Sequence, residues 1–168
     1  MKKIIIESKT YGTHEVLLDD EDYEWAKEYN WHLNIQRNET AIVPKYYARR
    51  RIGLDATGKQ KNILLHREIL KPIKRQVTDH INGNTLDNRK ENLRMCDKNQ
   101  NQANRRKYKT NTSGFKGVIY DKRQKRKPWI AQCQKVCLGS FTTKEEAARA
   151  YDKRAVEVFG EFAQLNFP

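Results

Sequence analysis

No window of the sequence approaches eighteen apolar residues in a row, the length a helix needs to cross a bilayer, so no membrane span is expected. The opening MKKIIIESKT has an apolar run of only three and does not read as a secretory leader. Cysteine is scarce and unpaired: Cys96, Cys133 and Cys137 make no even framework and no CxxC knuckles. That argues against a disulfide scaffold and a structural zinc site, and fits a reducing compartment. Apolar residues are only 37% of the 168, against 33% charged. One large core is therefore not expected, and small modules with modest cores are. Acidic residues are also short, at 21 Asp+Glu against 34 Lys+Arg, a net charge of +13. Such an excess suits a polyanionic partner, because each cation placed near a phosphate releases condensed counterions.

The excess is localised. Residues 1–62 hold 11 basic and 10 acidic side chains, residues 63–110 hold 12 and 5, and residues 111–168 hold 11 and 6. The last two thirds are thus the expected nucleic-acid surface.

Along the first sixty residues KKIIIE and THEVLL read as short strands, Asp19 or Asp20 as the cap of an acidic helix running to about Tyr29, and AIVPKYYARRRI as a further strand. KNILLHREIL fits a strand entering a short helix that Pro72 interrupts. QVTDH is a strand, INGNTLDNRKEN a turn-rich loop, LRM a returning strand and DKNQNQANRRK a polar helix capped by Asp97. KYKTNTSG has linker composition. GFKGVIYDK, KPWIAQCQ and VCLGSF then give three strands, followed by the helix TKEEAARAYDKRAVEVF. Thr143 and Glu146 form a capping box, Ala147, Tyr151, Ala155, Val158 and Phe159 share one face, and Gly160 stops the helix. The small alanines let the helix lie close on a three-stranded sheet whose other face stays free.

The stretch DHINGNTLDNRKENLR carries chemistry. Phosphodiester hydrolysis needs a base for water, a hard cation for the developing charge, and a group that orients the base. Asp79 and His80 end one strand, and Asn92 and Asn101 carry amide oxygens able to ligate a cation or fix an imidazole. Asn82, Gly83, Asn84, Asp87 and Asn88 read as turn formers. His66 reads as helix packing or capping, with phosphate contact the alternative, and His14 and His32 carry no signal.

Asp79-His80, Asn92-Leu93-Arg94 and Asn101 together resemble the HNH endonucleases of phage and intron origin, over roughly His66 to Arg106. The resemblance implies His80 as general base, Asn92 as the residue that orients it, and Asp79 and Asn101 as ligands of a divalent cation, magnesium or manganese. Asn101 stands where the family name has its last histidine. Residues 114–168, from GFKGV to LNFP, resemble the ethylene-response-factor (apetala-type) DNA-binding domain of plant transcription factors, with Trp129, Leu138-Gly139, Phe141 and Ala150-Tyr151-Asp152 in register. This implies a sheet set in the major groove, with Lys116, Tyr120, Lys122, Gln132, Gln134 and Lys135 as contacts. Trp129 is a contact or a sheet anchor, and Arg94 and Arg105 are added DNA contacts. Ile119, Asp121 and Cys137 depart from that family's basic or tryptophan positions.

The expected protein is α+β: an N-terminal platform (1–62), an HNH ββα-metal motif (63–107), a linker (108–113) and a DNA-holding sheet with one helix (114–168). Its expected role is a homing-type endonuclease of a phage or phage-like element. It would act as a monomer on double-stranded DNA in the cytoplasm of a bacterial or infected cell, nicking one strand. A DNA-binding regulator without catalysis is the competing class, and RNA is a third substrate option.

Overall fold

Alternating β-branched residues start the chain as two strands. β1 (Lys2–Ser8) pairs antiparallel with β2 (Gly12–Leu18), from Lys2 opposite Leu18 to Ser8 opposite Gly12. The computed structural model describes residues 1–37, 44–105, 107 and 110–168. It divides into two compact units, one of the described residues through Lys98 and one of those from Asn99 onward. Residues 41–43 of the expected third strand, Arg106 of the polar helix and residues 108–109 of the expected linker lie outside the described residues.

In the first unit, α1 (Asp20–Ala26) follows the hairpin. A three-stranded antiparallel sheet comes next, with β4 (Lys45–Leu54) between β3 (His32–Gln36) and β5 (Gln60–Leu64). Chain order continues with α2 (Leu65–Leu70) and a second hairpin, β6 (Val77–His80) with β7 (Leu93–Cys96). The helix at Asp20 begins without a side-chain cap bond, because the Asp19 carboxylate accepts instead from the Lys90 backbone N–H at 2.8 Å. One core joins these elements: Ile6, Val16, Leu18, Ala26, Trp31, Ala48 and Leu65, with Leu86 packed against it. Complete burial of Leu18 and Leu65 is worth about 1.5–3 kcal/mol each. Leu86 belongs to the loop between β6 and β7, so the N-terminal strands and that loop share a core.

The second unit has α3 (Lys98–Ala103), an antiparallel sheet ordered β8 (Val118–Tyr120), β9 (Trp129–Cys133), β10 (Val136–Phe141), and α4 (Lys144–Phe159). The capping box forms at α4, with Thr143 Oγ1 accepting from the Glu146 N–H at 3.2 Å and the Glu146 carboxylate from the Thr143 N–H. Val118, Ala131, Ala147 and Ala148 make one core, and Cys133, Tyr151 and Ala155 another. The tail is tied back by Asp152, whose carboxylate accepts from the Asn166 and Phe167 backbone N–H groups at 2.9 Å each. Among the described residues no helix is long and apolar enough to cross a membrane.

Candidate active site

The β6–β7 ladder sets Asp79 opposite Arg94 and His80 opposite Leu93. Successive strand residues face opposite sides, yet both Asp79 and His80 are buried, at 7% and 4% exposure. Arg94 donates to Asp79 Oδ2 through Nε and Nη2, both at 3.0 Å, so this basic side chain is half-buried against a carboxylate.

The loop that follows is held by its own amides. Asn92 Oδ1 accepts from the Asn82 N–H at 2.9 Å, Asn92 Nδ2 donates to the Asp87 carbonyl at 2.8 Å, and the Ile81 N–H donates to the Asn92 carbonyl at 2.9 Å. Asn92 thus acts on the loop leading away from His80. Asp87, almost fully buried, takes a two-pronged bond from Arg89 at 2.8 Å and one from Asn82 at 3.0 Å. The Arg89 fork above all holds its carboxyl below the usual range. Asn82 and Asn84 close turns on the Asn84 and Leu86 N–H groups. The loop is then pinned to β2, with Leu17 N–H to the Leu86 carbonyl and Asn88 N–H to the Leu17 carbonyl, both 2.9 Å.

That pinning brings Asn88 to His80: Asn88 Oδ1 lies 3.4 Å from His80 Nε2. Two rings complete the surroundings. His66 of α2 meets His80 edge to face at 5.1 Å between centroids, and Tyr47 of β4 lies 5.4 Å from His66 and 6.2 Å from His80. Sequence reasoning left Asn88 among the turn formers and His66 undecided, and it did not single out Tyr47. Spacing gives no sign of these three, because each reaches His80 from a different element.

Burial holds both imidazoles neutral. It pushes His80 below its ordinary value, against opposing bonds from Asn88 and attraction from Asp79. It pushes His66 down to about 3, helped by the proximity of His80 and Arg67. An unfolded histidine takes up a proton near pH 6.5. Below that pH the unfolded chain binds protons the folded chain refuses, so stability falls as pH drops from about 6.5 toward 3. The His66 contribution is expected to be on the order of a few kcal/mol over that window. His66→Phe should flatten the pH dependence of the urea midpoint between about 6.5 and 4 relative to the parent chain. An unchanged slope would show that His66 titrates normally.

Residues 72–103 match the family model described as HNH endonuclease. The matched span includes Asp79, His80, Asn88, Asn92 and Asn101, whereas Tyr47 and His66 lie before it. No solved structure matches the chain. The match supports a nuclease in general terms.

Among the described residues, no group of three or more His, Cys, Asp or Glu side chains is placed to hold a metal ion. A hard cation of the magnesium type, however, needs only one or two carboxylates and takes its other oxygens from water and substrate phosphate. Asp79 supplies a buried carboxylate beside His80, and Asn101, half-buried on α3, carries an amide oxygen. Both are oxygen donors of the type such a cation takes.

The residues expected to touch DNA fall into two groups. Lys122, Gln134 and Lys135 are exposed at strand ends, Gln132 is half-buried on β9, and Arg105 is exposed beyond α3. Lys116 is half-buried: its ammonium donates to the Ala103 carbonyl, and burial pushes it down to about 8. Tyr120 and Trp129 pair across the sheet with ring centroids 4.8 Å apart, and Trp129 packs against the Val118 core. Gln134 and Lys135 both have positive φ, 49° and 67°, the backbone of a tight hairpin turn.

Proposed function

We propose that the chain is a metal-dependent DNA endonuclease of the homing type, from a phage or phage-like element, cutting in the cytoplasm of its host. What carries the reading is His80: a neutral, buried imidazole next to a carboxylate, at the end of a strand whose loop matches the HNH family. The imidazole removes a proton from water, which attacks the phosphorus in line with the 3′ oxygen. Asn88 fixes the ring's edge, and Asn92 fixes the loop that presents it. Asp79 and Asn101 would hold the cation, magnesium or manganese, and Arg94 fixes the orientation of the Asp79 carboxylate. When bound, the cation supplies charge stabilisation at the phosphate and the leaving oxygen. The products carry a 5′ phosphate and a 3′ hydroxyl.

The sheet-and-helix module of residues 114–168 holds the DNA through Lys122, Gln132, Gln134 and Lys135, as its likeness to the ethylene-response-factor domain suggests. Lys116 and Trp129 then serve the fold that presents those contacts, and the exposed Tyr120 joins the contacts. One imidazole and one cation suffice for one strand, so the protein works as a monomer and nicks. Supercoiled plasmid incubated with the purified chain and magnesium should give open circles before any linear form, and chelator should stop the reaction. Linear product without a nicked precursor, or cleavage indifferent to chelator, would refute this scheme.

A further inference from the structure

Polar atoms without partners converge on His80. His66 is 94% buried, taking its 6% exposure from the whole, and its ring nitrogens meet no hydrogen-bond partner among the described residues. Asn88 is 1% exposed, and its Nδ2 likewise has no partner among the described residues, while its Oδ1 faces the His80 ring. The His66 nitrogens are not among the fully buried polar atoms of the described residues, so that ring edge is open to a hydrogen-bonding group from outside, whereas Asn88 Nδ2 is closed off. The neighbouring surface is cationic, with Arg67 and Lys71 exposed on and just after the same short helix as His66. A group that accepts hydrogen bonds and carries negative charge would suit the His66 ring edge and these cations.

We propose that His66 is a substrate contact, donating an N–H bond to a non-bridging oxygen of the phosphate that His80 addresses. This rests on the nuclease reading above and deepens it. The requirement is geometric: the His66 ring borders the ring that activates water and is set by a rigid neighbour. Leu65, next to His66, is 1% exposed in the core. Donors fixed in this way need no rearrangement when charge develops on the phosphate oxygens, which is where such bonds contribute most.

The competing role for His66 is packing alone, an aromatic edge that keeps the His80 rotamer in place. Two substitutions separate these roles. His66→Phe keeps the ring and deletes the N–H, whereas His66→Gln deletes the ring and keeps a donor. As a substrate contact, His66→Phe should lower the plasmid-nicking kcat by about 10²-fold with KM little changed, and His66→Gln should recover part of that loss. As mere packing, the order reverses, with Phe near the parent rate and Gln impaired; that result would overturn the proposal.

The second measurement does not depend on cleavage. In the full chain, without metal, the imidazole ¹⁵N resonances of His66 are followed while a 20-base-pair duplex is added, with poly-glutamate as a non-phosphate polyanion control. The expected result is a His66 shift that saturates with duplex and is absent with poly-glutamate. If the shift occurs in a protein that cuts no DNA, the phosphate contact stands and the nuclease reading falls. If the protein nicks plasmid but the His66 resonances do not move, the contact falls and the nuclease reading stands.

Discussion

His80→Ala is expected to lower DNA cleavage by about 10²–10⁴-fold, the usual worth of a positioned general base, while DNA affinity stays nearly unchanged. The imidazole is 4% exposed and sits among Asn88, His66 and Tyr47, so it offers little surface to bound DNA and contributes to the barrier rather than to ground-state binding. Removing a buried ring also leaves a cavity, so the variant needs a stability control; His80→Gln keeps most of the volume and should be equally inactive. Single-turnover nicking with magnesium, together with band shifts in chelator, gives both quantities. A variant that cleaves at the parent rate would return the chain to the competing class, a DNA-binding protein without catalysis.

Features carried by neighbours in sequence were legible, and features that arise where distant segments meet were not. The capping box at α4 is an example of the first kind, since Thr143 and Glu146 satisfy each other's backbone within one turn. The strands of the second unit likewise announce themselves through alternation, and the mixed α+β architecture with a sheet on one helix follows from them. β3 was missed because HLNIQ is weakly apolar and becomes a strand by pairing with β4, from His32 opposite Arg49 to Gln36 opposite Lys45. Asp19 illustrates the same limit. Local rules make it a helix cap, yet its carboxylate serves a backbone group 71 residues away.

In the candidate site, the residue types and their spacing named Asp79, His80, Asn92 and Asn101. The surroundings of His80 depend on β2, β4 and α2 and have no local signature. Asn88 is the sharpest case: four polar residues and a glycine of one loop look alike as turn formers, and only the Leu17 pairing turns one of them to the ring. The C-terminal contacts divide for a related reason. Val118, Ala131 and Cys133 face the helix, so residues two apart from them share that side. Register therefore puts Trp129 with the packed side and Gln132 with the open one, while Tyr120 at the end of β8 stays 48% exposed.

The largest structural effect is expected from Gly117→Ala. Gly117 has φ +74°, and a Cβ built there would lie 2.0 Å from Cδ2 of Tyr151, a ring 5% exposed in the core of the second unit. Backbone strain and overpacking each cost about 1–3 kcal/mol, and the ring is packed in a cluster with Cys133 and Ala155. Gly114→Ala supplies the control, because Gly114 also has positive φ, +84°, but nothing lies within 4 Å of a Cβ built there. It should show the strain alone, so Gly117→Ala should melt well below Gly114→Ala, which should melt slightly below the parent. If residues 114–168 anchor the DNA, Gly117→Ala should also lose most duplex affinity at temperatures where it has melted, and Gly114→Ala should keep it. Equal melting of the two variants would refute the close approach of Gly117 to Tyr151. Early melting of Gly117→Ala with undiminished duplex affinity would instead place the DNA anchor in the other unit.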